Sequence, residues 1–407
     1  MTTAETKPAQ ANYAIPKGFR FAGACGGIKT VAGTKDVSLI VSDEPCTAAG
    51  VYTQNQVVAA PVLNCRTKTP SDGVRAVVVN SGNANACTGQ QGVEDAEHMC
   101  ELVAELGGFA AADTLVMSTG VIGHILPMDK VETGIRNCVE QLDNSEPAFL
   151  DSADGILTTD QFRKVGSRQL KLDGHTIRLT GMAKGAGMIG PNMATMLCTI
   201  LTDAKLEPQQ AQGILQRVAD ASFNNISVEG HTSTNDTMVL LASGASGAPV
   251  LSGDAETEFV AALTELSIEL AKQIPVDGEG AAHLIEIRVS GAASHSDART
   301  ISHAIANSNL VKTAIYGNDP NWGRIVSAAG YAGPQLDMQR LKLTVNGFTL
   351  FDGGEPVDFD AAAASESIRT NKTTELDLIV GDGPAECTHW TSDLTVDYVR
   401  FNAEYTT

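Results

Sequence analysis

Thr180–Thr195 reads TGMAKGAGMIGPNMAT, with Gly181, Gly185, Gly187 and Gly190 inside ten residues and Pro191 directly after. So much glycine marks a backbone with unusual angles or a close approach to something else. Gly185, Gly187 and Gly190 satisfy G-x-G-x-x-G, but a dinucleotide fingerprint needs a helix to begin inside the motif, and Pro191 follows its last glycine. No second lysine followed by Ser or Thr makes a phosphate loop. The stretch instead leads into MLCTILT, an apolar run of strand character. Two readings stay open on residue types alone. One is a glycine-rich turn before a buried strand. The other is a strained loop that brings Ala194-Thr195 to a point of chemistry. There the Thr195 hydroxyl attacks the preceding carbonyl, the ester hydrolyses, and the new α-amine, with a pKa of about 7.7–8.0, serves as base for its own hydroxyl.

Outward from this centre, strands and helices alternate along the chain. Ser38–Val41, Ala59–Leu63 and Arg75–Asn80 are short, mostly Val-rich runs bounded by turn residues, and each predicts a strand. Val93–Leu106 repeats apolar residues at helical spacing and runs into Gly107-Gly108. Pro208–Ala221 predicts a helix and Thr237–Ala242 a strand. In Ala255–Ile274, Phe259, Leu263, Leu266, Leu270 and Ile274 fall three or four apart, with Pro275 as a stop. Leu284–Val289, Leu341–Val345 and Leu376–Val380 predict further strands. The mixture argues for layered α/β or α+β lobes, and 407 residues suffice for more than one core.

The formal net charge of −20 repels polyanions, and with no Lys/Arg run nucleic acid is excluded as a partner. Eight scattered cysteines without a C-x-x-C pair argue against a zinc site or a disulfide framework and suit a reducing compartment. No apolar run approaches a membrane span and residues 1–19 lack an apolar signal core, so a cytoplasmic protein is expected. Residues 1–15 read as a loose arm.

The run K-G-A-G-M-I-G-P-N-M-A-T-M-L resembles the cleavage signature of the ornithine acetyltransferase (ArgJ) family. The resemblance covers nearly the whole chain, through Thr53–Val62, Asn80–Gly89, Ser118–Gly123, Thr158-Thr159-Asp160, Thr232–Thr237, Gly317–Ile325 and the terminal NAEYTT. It implies the layered α/β sandwich of this family and of self-processing aminopeptidases. It implies cleavage between Ala194 and Thr195 into an alpha chain, 1–194, and a beta chain, 195–407, assembled as a heterotetramer of two of each. Thr195 would be the nucleophile, carrying acetyl from N-acetylornithine to glutamate, with acetyl-CoA left open as a second donor. Thr119 and Gly120 match the oxyanion-hole pair. Thr158, Lys184, Thr195, Glu279, Asn402 and Thr407 match substrate-contacting positions, with Thr158 chosen over Thr159 by motif position. Lys184 suits an α-carboxylate and Glu279 an amino group. The resemblance implies no metal and no organic cofactor. The alternative is a self-processing amidohydrolase or aminopeptidase with an N-terminal threonine. Two places depart from the family pattern: Gly280-Ala281-Ala282-His283 stands where Gly-Ala-Thr-Lys is common, and Glu229-Gly230-His231 where Asp-Gly-Asp is. Both bear on substrate preference.

Overall fold

In a computed structural model of the protein, residues 12–190 and 196–404 are described. Ala194, Thr195 and Thr407, with residues 1–11, lie outside them. Fifteen strands form two sheets among the described residues. The first holds β1 (Phe19–Ala24), β2 (Val37–Tyr52), β3 (Ser71–Asn83), β4 (Thr114–Val121), β5 (Lys164–Leu172), β6 (His175–Lys184), β7 (Leu197–Thr202) and β9 (Thr237–Ala242). Its order is β4-β3-β2-β9-β7-β6-β5, with β1 laid along β2. The second holds β8 (Ile226–Ser227), β10 (Leu284–Ala292), β11 (Lys342–Val345), β12 (Phe348–Asp352), β13 (Glu355–Pro356), β14 (Thr373–Ile379) and β15 (Ala385–Ser392), in the order β13-β12-β11-β14-β10-β15-β8.

Helices cover both sheets, giving the layered α/β architecture that the alternating pattern predicts. Helices 89–107, 128–140 and 146–155 pack their apolar stripes on one face of the first sheet, through Met99, Val103, Ile135 and Phe149. Helices Pro208–Ala221 and Gly253–Val276 fill the space between the sheets. Phe259, Leu263, Leu266, Leu270 and Ile274 are all buried there. Each such side chain contributes about 1.5–3 kcal/mol of apolar burial, which is why this spacing fixes the longest helix among the described residues. Helices His295–Ala306, Asn309–Tyr316, Trp322–Gly330 and Ala361–Thr370 close the outer face of the second sheet.

Three expectations need correction. Ala59–Leu63 is not a strand but part of the helix Ala60–Arg66, with Pro61 in its first turn and Ala60, Val62 and Cys65 buried. A run of five apolar residues carries no period, and proline at a helix start needs no N–H partner. Pro275 does not stop its helix, which runs to Val276. Within the expected loose arm, Ala14 is tied down. Its N–H donates to Ser167 Oγ at 3.1 Å and its carbonyl accepts from Thr180 Oγ1 at 2.7 Å.

All eight cysteines are free thiols. No helix is long and apolar enough to cross a membrane among the described residues.

Candidate functional site

The ends of β4 and β6, on opposite sides of the first sheet's centre, open into one cleft of about 180 Å³. Thr119, Gly120, Thr158, Thr159, Lys184, Glu279 and Asn402 all line it. The described residues among the expected site positions are thus brought together. Thr158 and Thr159 both reach the lining, so position alone does not separate them.

Lys184 is the last residue of β6 and is 2% exposed. Its Nζ donates to Thr119 Oγ1 at 3.3 Å. Burial pushes its pKa down, and the Asp160 carboxylate nearby opposes that. Asp160 is fixed from three sides. Its Oδ1 accepts from the Gly185 N–H at 2.7 Å and from Lys164 Nζ at 2.7 Å, and its Oδ2 from the Thr158 N–H at 3.0 Å. Burial alone would raise the Asp160 pKa, but Lys184 and Lys164 outweigh it and hold the carboxyl well below the usual range. Lys164 is itself fully buried and also reaches Asp277 Oδ2 at 2.6 Å. This charged group orders the glycine loop where it leaves β6.

Thr119 and Gly120 sit where β4 runs parallel to β3, with Gly120 opposite Gly82. Gly120 has φ +134°, and a Cβ there would lie 2.3 Å from the Gly82 carbonyl carbon. Only glycine fits. Behind this turn, Asn235 Nδ2 donates to the Ala84 carbonyl at 2.6 Å and the Ser118 carbonyl at 2.9 Å. Thr53 Oγ1 donates to the Ser233 carbonyl at 2.6 Å. Four of the sequence stretches quoted above therefore meet at one point. Gly317–Ile325 does not join them: Asn321 there caps the helix Trp322–Gly330.

In the same lining, the Glu279 N–H donates to the Ala186 carbonyl at 2.9 Å. A Cβ on Gly187 would lie 2.4 Å from Glu279 Cδ, so that glycine leaves room for the carboxylate. Asn402 Nδ2 donates to Glu279 Oε2 at 3.1 Å from the terminal helix Val396–Glu404. That helix docks where the Tyr398 N–H meets Thr395 Oγ1 at 3.0 Å, and Thr395 Oγ1 in turn donates to the Gly280 carbonyl at 2.7 Å.

The chain reaches the undescribed residues 191–195 at buried Gly190 and resumes at buried Met196. The Met196 N–H donates to Asp236 Oδ1 at 2.9 Å, and burial raises the Asp236 pKa well above its ordinary value.

Sequence reading missed Asn235, Tyr398 and the buried Asp160–Lys164–Asp277 group. Asn235 and Asp160 stand inside quoted motifs, but their partners are far away in sequence. Of the two departures, Glu229 and His231 line the cleft, whereas His283 does not. Instead, His283 Nδ1 lies 3.1 Å from Asp393 Oδ2, and Asp393 Oδ1 accepts from the Ala282 N–H. Among the described residues no cluster of three or more His, Cys, Asp or Glu is placed to hold a metal ion.

A buried cation, a partly exposed carboxylate and several hydroxyl and amide groups thus share the lining of one small cleft. The chain belongs to the ArgJ family, whose profile matches residues 20–407. It is 51% identical over its full length to the arginine biosynthesis bifunctional protein ArgJ of Rhodopirellula baltica, covering 99% of that protein. With the protein of the same name from Symbiobacterium thermophilum it shares 48% identity over 96% of this chain and 98% of that one. Among solved structures, ArgJ of Bacillus halodurans is 37% identical over 51% of this chain and 97% of that one, with a TM-score of 0.49. Ornithine acetyltransferase of Mycobacterium tuberculosis, solved with ornithine, is 38% identical over 43% of this chain and 92% of that one, with a TM-score of 0.39.

Proposed function

We propose that this protein is a self-cleaving glutamate N-acetyltransferase of arginine biosynthesis, moving acetyl from N-acetylornithine to glutamate through Thr195. Membership of the ArgJ family supports the reaction class. The observation that carries the reading is the lining of the cleft, which holds both a cation, Lys184 against Thr119, and a carboxylate, Glu279 against Asn402. An α-amino acid needs partners of both signs.

The reaction begins on the protein itself. The Thr195 hydroxyl adds to the Ala194 carbonyl, the C–N bond breaks, and water hydrolyses the resulting ester. This gives chains 1–194 and 195–407 and a free α-amine on Thr195. The amine then takes the hydroxyl proton as Oγ attacks the acetyl carbonyl of N-acetylornithine. Ornithine leaves with that proton; glutamate enters, its amine attacks the acetyl carbonyl, the bond from acetyl to Oγ breaks, and the proton lost by the glutamate amine returns to Oγ through the Thr195 α-amine. Each acyl step passes through an oxyanion, for which the Thr119 hydroxyl and the Gly120 backbone N–H are the donors. Thr119 Oγ1 accepts from Lys184, which leaves its own proton free to donate into the cleft. Lys184 holds the α-carboxylate, Glu279 an amino group, and Thr158, Asn402 and Thr407 complete the contacts.

The mature form is a heterotetramer of two alpha and two beta chains. Val396 and Val399, 59% and 61% exposed on the terminal helix, are candidates for the surface between pairs. Eight unpaired thiols suit the cytoplasm. Acetyl-CoA is a second donor to test beside N-acetylornithine.

Intact mass under denaturing conditions tests the first step. The native protein should give two chains meeting at Ala194/Thr195, and Thr195→Ala one. Parallel double-reciprocal lines with both substrates varied support the acetyl-enzyme. Intersecting lines, or one uncut chain in active protein, overturn the mechanism.

A further inference from the structure

Glu229 lines the same cleft, its carboxylate oxygens are shielded from solvent, and among the described residues they meet no side-chain donor, only the backbone N–H groups of Ile189 and His231. A buried carboxylate held by backbone N–H groups alone is costly unless a cation or a proton completes it. The nearby cation cannot do so. Lys312, on the helix Asn309–Tyr316, spends its ammonium protons on the Val228 carbonyl, Thr391 Oγ1 and the Ser392 carbonyl. It acts on Glu229 through space only.

We propose that Glu229 selects the substrate side chain: as a carboxylate it holds the side-chain ammonium of the amino acid that leaves, and with a proton added it donates to the side-chain carboxylate of the amino acid that enters. This rests on the functional reading above. That reaction asks one cleft to hold, in turn, two α-amino acids whose side chains end in opposite charges at similar reach. Lys184 and Glu279 serve the groups both share, and neither distinguishes ornithine from glutamate. A fixed anion would favour the first and repel the second. A carboxyl that changes state serves both.

The surroundings allow that change. Burial, helped by Glu279, pushes the Glu229 pKa up to about 7, while the backbone N–H groups of Ile189 and His231 and then the charge of Lys312 pull the other way. The other titratable groups turned to this part of the cleft are His231 on the same loop and Tyr398 on the terminal helix. Tyr398 is itself raised to about 12, by burial and then by Glu229 and Glu279, so it stays neutral. Near neutral pH both forms of Glu229 are populated, and replacing ornithine by glutamate requires one proton from solvent.

Titration calorimetry of the native protein with glutamate at pH 8, in two buffers of different ionisation enthalpy, reads that proton directly. Uptake of close to one proton is expected, and uptake near zero overturns the proposal. In Glu229→Gln, proton uptake should vanish and the KM for glutamate should lose its rise above pH 7. The KM for N-acetylornithine should increase roughly tenfold to a hundredfold, the worth of one charged hydrogen bond. Equal increases for both substrates overturn the proposal while leaving the transferase reading intact. If the native protein moves no acetyl from N-acetylornithine to glutamate, the functional reading falls first and this one with it. The calorimetry needs only native protein, so a misfolded variant does not stall the test.

Discussion

Lys184 Nζ donates to Thr119 Oγ1 at 3.3 Å, joining the end of β6 to the end of β4 across 65 residues of chain. A buried ammonium held against a hydroxyl both places the cation and turns the hydroxyl proton outward. Thr119→Ala removes that proton. The expected loss in kcat is about 10²–10³-fold, the usual effect of deleting one oxyanion donor, with slower self-cleavage. Thr119→Ser should recover most of both. Steady-state kinetics beside the fraction of uncut chain checks this, and a Thr119→Ala enzyme of normal rate would remove Thr119 from the mechanism.

Gly120 has no room for any other residue. Its φ of +134° alone costs an L side chain about 1–3 kcal/mol. The Cβ would also press on the Gly82 carbonyl carbon. Gly120→Ala should lower the unfolding midpoint in urea and stop acetyl transfer. Unchanged stability would mean that the β3–β4 turn can yield.

Asn402 and Gly187 act on Glu279 from opposite sides. Asn402→Ala removes one hydrogen bond from a partly exposed carboxylate, so the KM for the amino acid should rise severalfold with little change in Tm. Gly187→Ala pushes the Glu279 carboxylate itself and should raise KM further. Equal, negligible effects on KM would show that Glu279 does not bind substrate.

Within the buried Asp160–Lys164–Asp277 group, Asp160 predicts acid sensitivity, against Asp277, which burial shifts upward. Asp160 titrates lower folded than its unfolded value of about 3.9. A depressed carboxyl contributes stability that is complete above the unfolded pKa and is lost as pH falls toward the folded one. Denaturant unfolding of the native protein should therefore weaken below about pH 4. Asp160→Asn should be less stable at neutral pH by about 3–5 kcal/mol, because it takes the nearby carboxylate from buried Lys184 and leaves Lys164 with Asp277 alone, and its stability should depend less on pH in that acid window. The same acid slope in both proteins would assign the effect elsewhere.

The parts of this fold legible in the sequence are those that local pattern dictates. The spacing of Phe259 to Ile274 gives the central helix, and the alternation of runs gives layered α/β. Ala59–Leu63 misled because five apolar residues fit either element. The motif stretches bring Thr119, Lys184, Glu279 and Asn402 to one cleft, and that convergence was readable through family resemblance. The roles of Asp160 and Lys164 were not. Lys164 looks like any strand lysine until Asp277, 113 residues later, is folded against it. Tyr398 and Asn235 were hidden for the same reason: long-range pairing leaves no local period.

The strand order has a topological consequence. β7 and β9 follow residue 195, yet they sit side by side in the middle of the first sheet, with β2 on one flank and β6 on the other, both from before residue 194. Six register pairs run along each flank, from Thr47↔Ala242 to Tyr52↔Thr237 and from Leu179↔Thr202 to Lys184↔Leu197. A molecule cut between them is dovetailed: neither half can slide out without unzipping two seams at once. Severing the backbone there should therefore leave a pair that melts in one transition and does not trade halves with its neighbours.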